Sequence, residues 1–462
     1  MFPIPLQGPV NSMLNLAELL CLSGLRVTFL VTDHIHARLQ RHSSVGSRFR
    51  SYPDFQIRAI QDGLPDDHPR GESFLELFES MGTKTRPLLK EMLSDLQVSC
   101  VVVDGILGFA CDVADELGVP FFCMRTISAA CLWIFFCLPE LIESGELPFQ
   151  GDDMGTLIES VPGMETYLRR RDLPSFCRSP DTSDPHIDLY KNERQVNSRA
   201  RGLILNTFQD LEAPILNRIR SACPNVYTVG PLHAHVKSRL VEAGKTPPAT
   251  TFSSSLWEED RSCMRWLDSQ PPGSVLYLSF GSLAVVNQDQ MAELWHGLVN
   301  SGQRFLWVIR PDAISSEIPA KLLDGSRERG YVVGWSPQEE VLAHPAVGGF
   351  WTHGGWNSTL EGVWEGVPMM CSPCFLDQQV NSRLVGEVWG LGMVVEDGFD
   401  RGSIEGAVVR LMVGKWEELR VRAAEVAMSA RRCVSEGGSS FRDLDRLVQD
   451  IESSGSCGGA HR

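Results

Sequence analysis

Residues 335–378 read WSPQEEVLAHPAVGGFWTHGGWNSTLEGVWEGVPMMCSPCFLDQ, and this stretch decides the fold. Val347–Thr352 is a short apolar run, the pattern of a buried strand in a parallel sheet. It gives way to His353-Gly354-Gly355 and then to Asn357-Ser358-Thr359-Leu360-Glu361, a helix start for which Asn357 is the expected cap. Gly354 and Gly355 let main chain approach a ligand closely. A glycine turn that ends in a helix N-terminus points free N–H groups at one spot, which suits a phosphate. Ser358, Thr359 and His353 add side-chain donors. Glu361, one turn on, can accept from sugar hydroxyls. Trp335 offers a flat face to a nucleobase, and Asp377-Gln378 offer acceptors and donors to a hexose. Base, ribose, diphosphate and hexose each have partners in these 44 residues.

The same stretch, without a gap, resembles the donor-binding box of plant family 1 UDP-glycosyltransferases. The resemblance implies that Trp335 stacks on uracil, Gln338 lies beside uracil and ribose, and Glu361 binds the ribose hydroxyls. It implies that His353, Asn357 and Ser358 hold the diphosphate, and that Trp356, Asp377 and Gln378 hold the sugar. The final Gln is usual where the donor is UDP-glucose. Ser282, in the Ser-Phe-Gly-Ser turn, matches a residue near the diphosphate, and Thr126 matches one near the sugar. The alternatives are that Ser282 caps a helix and Thr126 packs. Trp351 and Trp364 read as core aromatics. Asn357-Ser358-Thr359 also fits an N-glycosylation acceptor, which we read as a chance match.

Bulk properties agree. The chain has 462 residues, 43% hydrophobic and 22% charged, enough for two or three domains. A net charge of −16 excludes a nucleic-acid binder, which needs a basic face. It leaves room for a nucleotide sugar, because N–H groups and local dipoles hold phosphate on an acidic protein. Thirteen scattered cysteines form no disulfide framework and fit a reducing compartment. Cys371 and Cys374 form one C-x-x-C without a second pair. No apolar run reaches membrane-spanning length. The reading is a cytoplasmic monomer without a metal: no carboxylate cluster suits a divalent ion, no cofactor is implied, and UDP-glucose is a co-substrate.

Outward from the box, strands and helices alternate, as in a parallel α/β sheet. Strands are expected at 25–31, 101–103, 121–124, 203–206, 226–228, 275–280, 304–309 and 330–333. Helices are expected at 11–22, 109–117, from Ile127 as one long apolar helix, at 288–298 and at 439–451. The expected organisation is an N-terminal acceptor-binding domain (1–235), a Pro/Ser/Thr-rich linker (236–258), a UDP-sugar-binding domain (259–435), and a last helix returning to the first domain with a disordered tail from Ser453 (436–462). By resemblance this is the GT-B arrangement, two facing Rossmann-like domains with a cleft between them. FCMRTISAACLW, SVPGMETYLRRRDLPSFC, GLILNTFQDLE and VYTVGPLHAH resemble the subgroup named for 7-deoxyloganetic acid glucosyltransferase. A nucleotide-dependent oxidoreductase is disfavoured, since no Gly-x-Gly-x-x-Gly follows a first strand.

Two departures from the family stand out. The chain opens MFPIPLQGPVN where relatives carry a longer lead-in ending in a strand, so the first strand is expected to be truncated. The family's general base is a His after Gln-Gly, whereas Gln7-Gly8 is followed by Pro9. Asp104 matches the carboxylate that orients that His, and is the one catalytic residue expected. His34, His36, His68, His233 and His235 are not placed to substitute. An Asp near its reference pKa of about 4 is a weak base. The expectation is therefore inverting glucose transfer to a small hydrophobic acceptor, an iridoid, terpenoid or phenol, impaired on alcohols and favouring acids. The alternative is a non-catalytic UDP-sugar binder.

Overall fold

The computed structural model describes residues 1–71, 73–223, 225–245, 254–282, 287–310, 329–395 and 400–456. The chain divides into two compact units. Unit 1 comprises Met1–Arg170, Phe176–Leu256 and Ala430–Arg462, and unit 2 comprises Arg171–Ser175 and Trp257–Ser429.

Unit 2 holds a six-stranded sheet of β7 (Val275–Ser279), β8 (Arg304–Val308), β9 (Gly330–Val333), β10 (Val347–Thr352), β11 (Met369–Cys371) and β12 (Gly392–Val394). Its order is β12-β11-β10-β7-β8-β9, and every pairing is parallel. This is the doubly wound order, with β7 at the centre and the direction of winding reversing between β7 and β10. Ligands bind beyond the strand ends at such a reversal. The continuous apolar runs of β7 and β10 follow from burial on both faces. Trp351 and Phe350 are fully buried, and Tyr277 stacks on Phe350 with centroids 5.1 Å apart.

Unit 1 contains β1 (Val27–Thr32) paired with β2 (Phe55–Ile60), and a sheet of β3 (Val101–Asp104), β4 (Phe121–Arg125), β5 (Gly202–Leu205) and β6 (Val226–Thr228), all parallel. The gap left by the short first strand is stitched by two residues. Met1 O accepts from Leu30 N (2.8 Å), Phe2 N donates to Val102 O (2.8 Å), and Asp104 N donates to Phe2 O (3.0 Å). Phe2 is buried, with its ring edge-on to Phe109. The edges of β1 and β3 on either side are therefore not left open. The remnant satisfies their main-chain groups, the condition for burying a strand edge.

Four boundaries differ from expectation. The first helix begins at Gln7 rather than Asn11, because Pro9 falls in its first turn, where a missing N–H costs nothing. The apolar stretch after Ile127 is two helices, Ala129–Phe136 and Leu138–Glu143, broken at Cys137 ahead of Pro139. Residues Leu232–Glu242, half expected as linker, are helix, since His233, Ala234, His235, Val236 and Leu240 are buried. The rest of the linker from 246 to 253 lies outside the described residues. The last helix runs Ser439–Ser456, so the tail expected from Ser453 is helical at its start, and 457–462 lie outside the described residues. That helix belongs to unit 1, where Asp443 Oδ2 accepts from Thr228 N (2.8 Å) and Ser440 Oγ donates to Gly230 O (2.7 Å).

Candidate functional site

The reversal point of unit 2 is built from glycine. Gly281 closes the turn after β7 at φ +73°, and a Cβ there would stand 2.6 Å from the His353 ring. A Cβ on Gly355 would overlap the same ring, 2.4 Å from its Nε2. The imidazole is thus wedged between two backbones that only glycine can supply. Burial, and more weakly the charge of Arg310, push its pKa down to about 4 against a main-chain hydrogen bond to Ser279. His353 is therefore a neutral ring at neutral pH. Ser282 follows Gly281 in the same turn.

The helix Trp356–Glu365 starts directly after this wedge. Its cap is Gly355, not Asn357, and no side chain caps it. The turn at Gly354 (φ +78°) starts the helix two residues earlier than a capping Asn357 would place it. Asn357 is consequently the second helical residue, with its N–H among those left without a helical acceptor. Trp356 is 3% exposed and packs on Trp389 with centroids 6.3 Å apart. Its ring is buried in the core of unit 2.

Gln338 ties the box together. Its Nε2 donates to Ser358 Oγ (2.9 Å) and Glu361 Oε2 (2.7 Å), while its Oε1 accepts from Tyr277 Oη (3.0 Å). Tyr277 Oη also meets Ser336 Oγ at 2.9 Å. Tyr277 and Ser336 were not anticipated. The signal for the first was a tyrosine inside the continuous apolar run of β7, where a buried hydroxyl needs a partner.

Asp377 and Gln378 open the helix Gln378–Arg383. Asp377 Oδ2 accepts from Asn381 Nδ2 (2.8 Å), which also donates to Gly354 O (2.9 Å). Asn381 is fully buried and was likewise missed, although its i+4 spacing from Asp377 puts both on one helix face. Gln378 Oε1 is taken by Cys374 N (2.8 Å) and Phe375 N (3.2 Å). Only its Nε2 is left for a ligand, so Gln378 can donate but not accept. Leu376, a non-glycine at φ +56°, precedes them, and such strain gathers at ligand sites. Trp335 stacks on Trp257 (5.9 Å, 27°), and its main-chain O accepts from Asp260 N (2.8 Å). Cys371 and Cys374 are free thiols, the first buried and pushed up to about 12, the second exposed. Among the described residues no group of three or more His, Cys, Asp or Glu is placed to hold a metal, and no helix is long and apolar enough to cross a membrane.

Asp104 and Thr126 lie in unit 1. Thr126 follows β4 and is half-buried. Asp104 ends β3 and is 1% exposed. It is not idle for want of a histidine. Arg125 Nη1 donates to its Oδ1 (2.9 Å), and Arg125 Nη2 stands 3.1 Å from Glu193 Oε1. Asn197 Nδ2 donates to Glu193 Oε2 (2.9 Å). Two buried carboxylates share one buried guanidinium. Burial raises the pKa of Asp104 and Arg125 lowers it, with burial the larger effect. Asp104 is thus a stronger base than a reference carboxylate, a correction to the sequence reading. It is also a more enclosed one. His235 is fully buried, with Nδ1 2.8 Å from Val229 O, and is a packing residue.

A doubly wound sheet whose reversal point carries a neutral histidine, two close glycines and an uncapped helix N-terminus is a nucleotide-binding unit of the Rossmann type. Residues 256–421 match the family model described as UDP-glucoronosyl and UDP-glucosyl transferase. The chain is 52% identical over 467 residues to 7-deoxyloganetic acid glucosyltransferase of Catharanthus roseus, covering 98% of this chain and 96% of the relative. It is 38% identical to 7-deoxyloganetin glucosyltransferase of Gardenia jasminoides, covering 97% and 96%. Among solved structures it resembles Os79 from O. sativa in complex with UDP, with a TM-score of 0.83, 28% identity, and 97% and 99% of the two chains covered. The chain belongs to the plant UDP-glycosyltransferase family, with the GT-B fold class of that family, and is a glycosyltransferase.

Proposed function

We propose that this enzyme transfers glucose from UDP-glucose, with inversion, to a small hydrophobic plant metabolite of the iridoid or a related terpenoid class, and that acidic acceptors are favoured. The observation that carries the donor half is the wedged His353 at the reversal point, beside the Gln338–Ser358–Glu361 network. The acceptor class rests on relatives named for 7-deoxyloganetic acid and 7-deoxyloganetin. In this reading uracil lies on Trp335 and the ribose hydroxyls reach Glu361. The phosphates take the N–H groups at the 356–365 helix start, with His353, Ser358 and Ser282 as further donors, and the hexose meets Asp377 and Gln378 Nε2. Preorganised donors around the leaving diphosphate and alignment of the anomeric carbon supply the rate. The bond from C1 to the phosphate oxygen breaks, and its electron pair leaves with UDP. A lone pair of the acceptor oxygen forms the new bond on the opposite face.

Pro9 sets the acceptor preference. An acceptor already ionised has no proton to lose, whereas an alcohol needs a base, and losing a positioned one costs about 10²–10⁴-fold. The test is UDP release with a matched carboxylic acid and primary alcohol, for the chain as it stands and for Pro9→His. Acid turnover by the native chain is expected, with alcohol turnover rising in Pro9→His. Equal alcohol turnover in both proteins would overturn the preference. Turnover unaffected by EDTA is expected, since the reading needs no metal.

A further inference from the structure

Across the centre of the unit 2 sheet, Trp351, Leu278, Trp307 and Val332 stand level on β10, β7, β8 and β9. Three residues on, at the rim, those strands deliver Gly354, Gly281, Arg310 and Trp335. Gly281 abuts His353, and Trp335 is the platform for the base. Arg310 comes between them. It is 6% exposed although its strand has ended. Its guanidinium carbon lies 5.5 Å from the centroid of the Trp257 ring, and Trp257 stacks on Trp335. On its other side its charge is felt at the His353 ring, where it helps keep the imidazole neutral. A buried guanidinium is costly to desolvate and is kept where planar, charged recognition is needed. This one stands on the rim between a base platform and a helix N-terminus.

We propose that Arg310 is a diphosphate-binding residue of the donor site, its guanidinium lying against phosphate oxygens between the base on Trp335 and the 356–365 helix start. The proposal rests on the UDP-sugar reading above and adds a charged anchor to it. Arginine suits this because its fork can offer two parallel N–H groups to one phosphate. Stacking on Trp257 fixes the plane of the fork before ligand arrives.

The experiment is calorimetric titration of the full chain with UDP and, separately, with uridine, for the native protein, Arg310→Gln and Arg310→Lys. Losing a charge-assisted contact should weaken UDP by about tenfold to a hundredfold in Arg310→Gln. Uridine, which carries no phosphate, should change by less than about twofold and so reports that the base platform and fold survive. Arg310→Lys should fall between, with a steeper loss on raising salt. Equal losses for UDP and uridine in both variants would overturn the proposal and make Arg310 a support of the tryptophan stack. Unchanged UDP affinity in Arg310→Gln would overturn it outright. If the native protein binds uridine and UDP equally, no phosphate site exists and the donor reading fails first.

Discussion

Replacing Arg125 by Met tests whether the cluster at Asp104 is a true shared ion pair. Arg125, Asp104 and Glu193 are 3%, 1% and 2% exposed at their side chains, and a single guanidinium meets both carboxylates. Removing it strands two buried carboxylates, a loss of about 3–5 kcal/mol. The cost depends on pH, and its sign is fixed by the direction of the shifts. Burial raises both carboxyls above their unfolded values, and in each Arg125 is the largest opposing influence. Without Arg125 both rise further. A carboxyl with a raised folded pKa contributes stability that is complete below its unfolded value, near 4, and is lost as pH climbs through its folded value. Each carboxyl that takes up a proton on folding changes stability by about 1.4 kcal/mol per pH unit. The Arg125→Met deficit should therefore be small near pH 4.5 and grow towards pH 8. Urea midpoints of the full chain at the two pH values, with hydrogen exchange of the β3 and β4 amides to localise the change, measure it. Adding Glu193→Gln to Arg125→Met should recover part of the loss at pH 8. A deficit independent of pH, or larger in acid, would refute the shared pair.

Two further outcomes follow from unit 2. Gln338→Ala frees Glu361 and Ser358 from the amide that positions both, so KM for UDP-glucose should rise about tenfold with kcat changed by only a few-fold, as for a lost ground-state contact. A fall in kcat with KM unchanged would refute the assignment. His353, held to about 4 by burial, should not titrate between pH 6 and 8. Its folded pKa lies below the usual value near 6.5, so the stability it contributes is present above 6.5 and is lost as pH falls through about 4. The UDP affinity of the native protein and of His353→Gln should then share one pH profile across pH 6–8. A step near pH 6.5 that the variant lacks would show a protonated imidazole.

The donor stretch was legible because its signals are local. An apolar run of strand length, ended by two glycines, gave β10 at Val347–Thr352 with both bounds as read. What was misread depended on neighbours. Asn357 has the chemistry of a cap, but the turn at Gly354 starts the helix before it. The Trp356 ring is core because Trp389, 33 residues away, covers it. Gln338 was expected beside the ribose. That its amide is the junction of Tyr277, Ser358 and Glu361 emerges only when β7 lies next to β10. The same holds for Asp104. Its match to a family position was visible, but Arg125 becomes its partner only once β3 and β4 pair, and Glu193 comes from a separate helix, Glu193–Arg199. The start at Gln7 follows from Pro9 in the first turn, and the helix Leu232–Glu242 was missed because burial of its first turns at Leu232–Val236, not propensity, holds it.

The two units carry the same winding and answer it with different chemistry. In each, the first strand lies at the centre and the reversal falls beside it, between β7 and β10 in unit 2 and between the Met1–Phe2 remnant and β3 in unit 1. At the first reversal the strand ends are glycine and a histidine kept neutral, so main-chain N–H groups face outward and an anion is the ligand they suit. At the second, Pro9 brings no titratable group, and the carboxylate that would have oriented one is buried and engaged by Arg125. Installing His at position 9 therefore does not simply rebuild a pair. The new imidazole must compete with a guanidinium 2.9 Å from Asp104 Oδ1, which leaves Oδ2 as the carboxylate oxygen without a side-chain donor among the described residues.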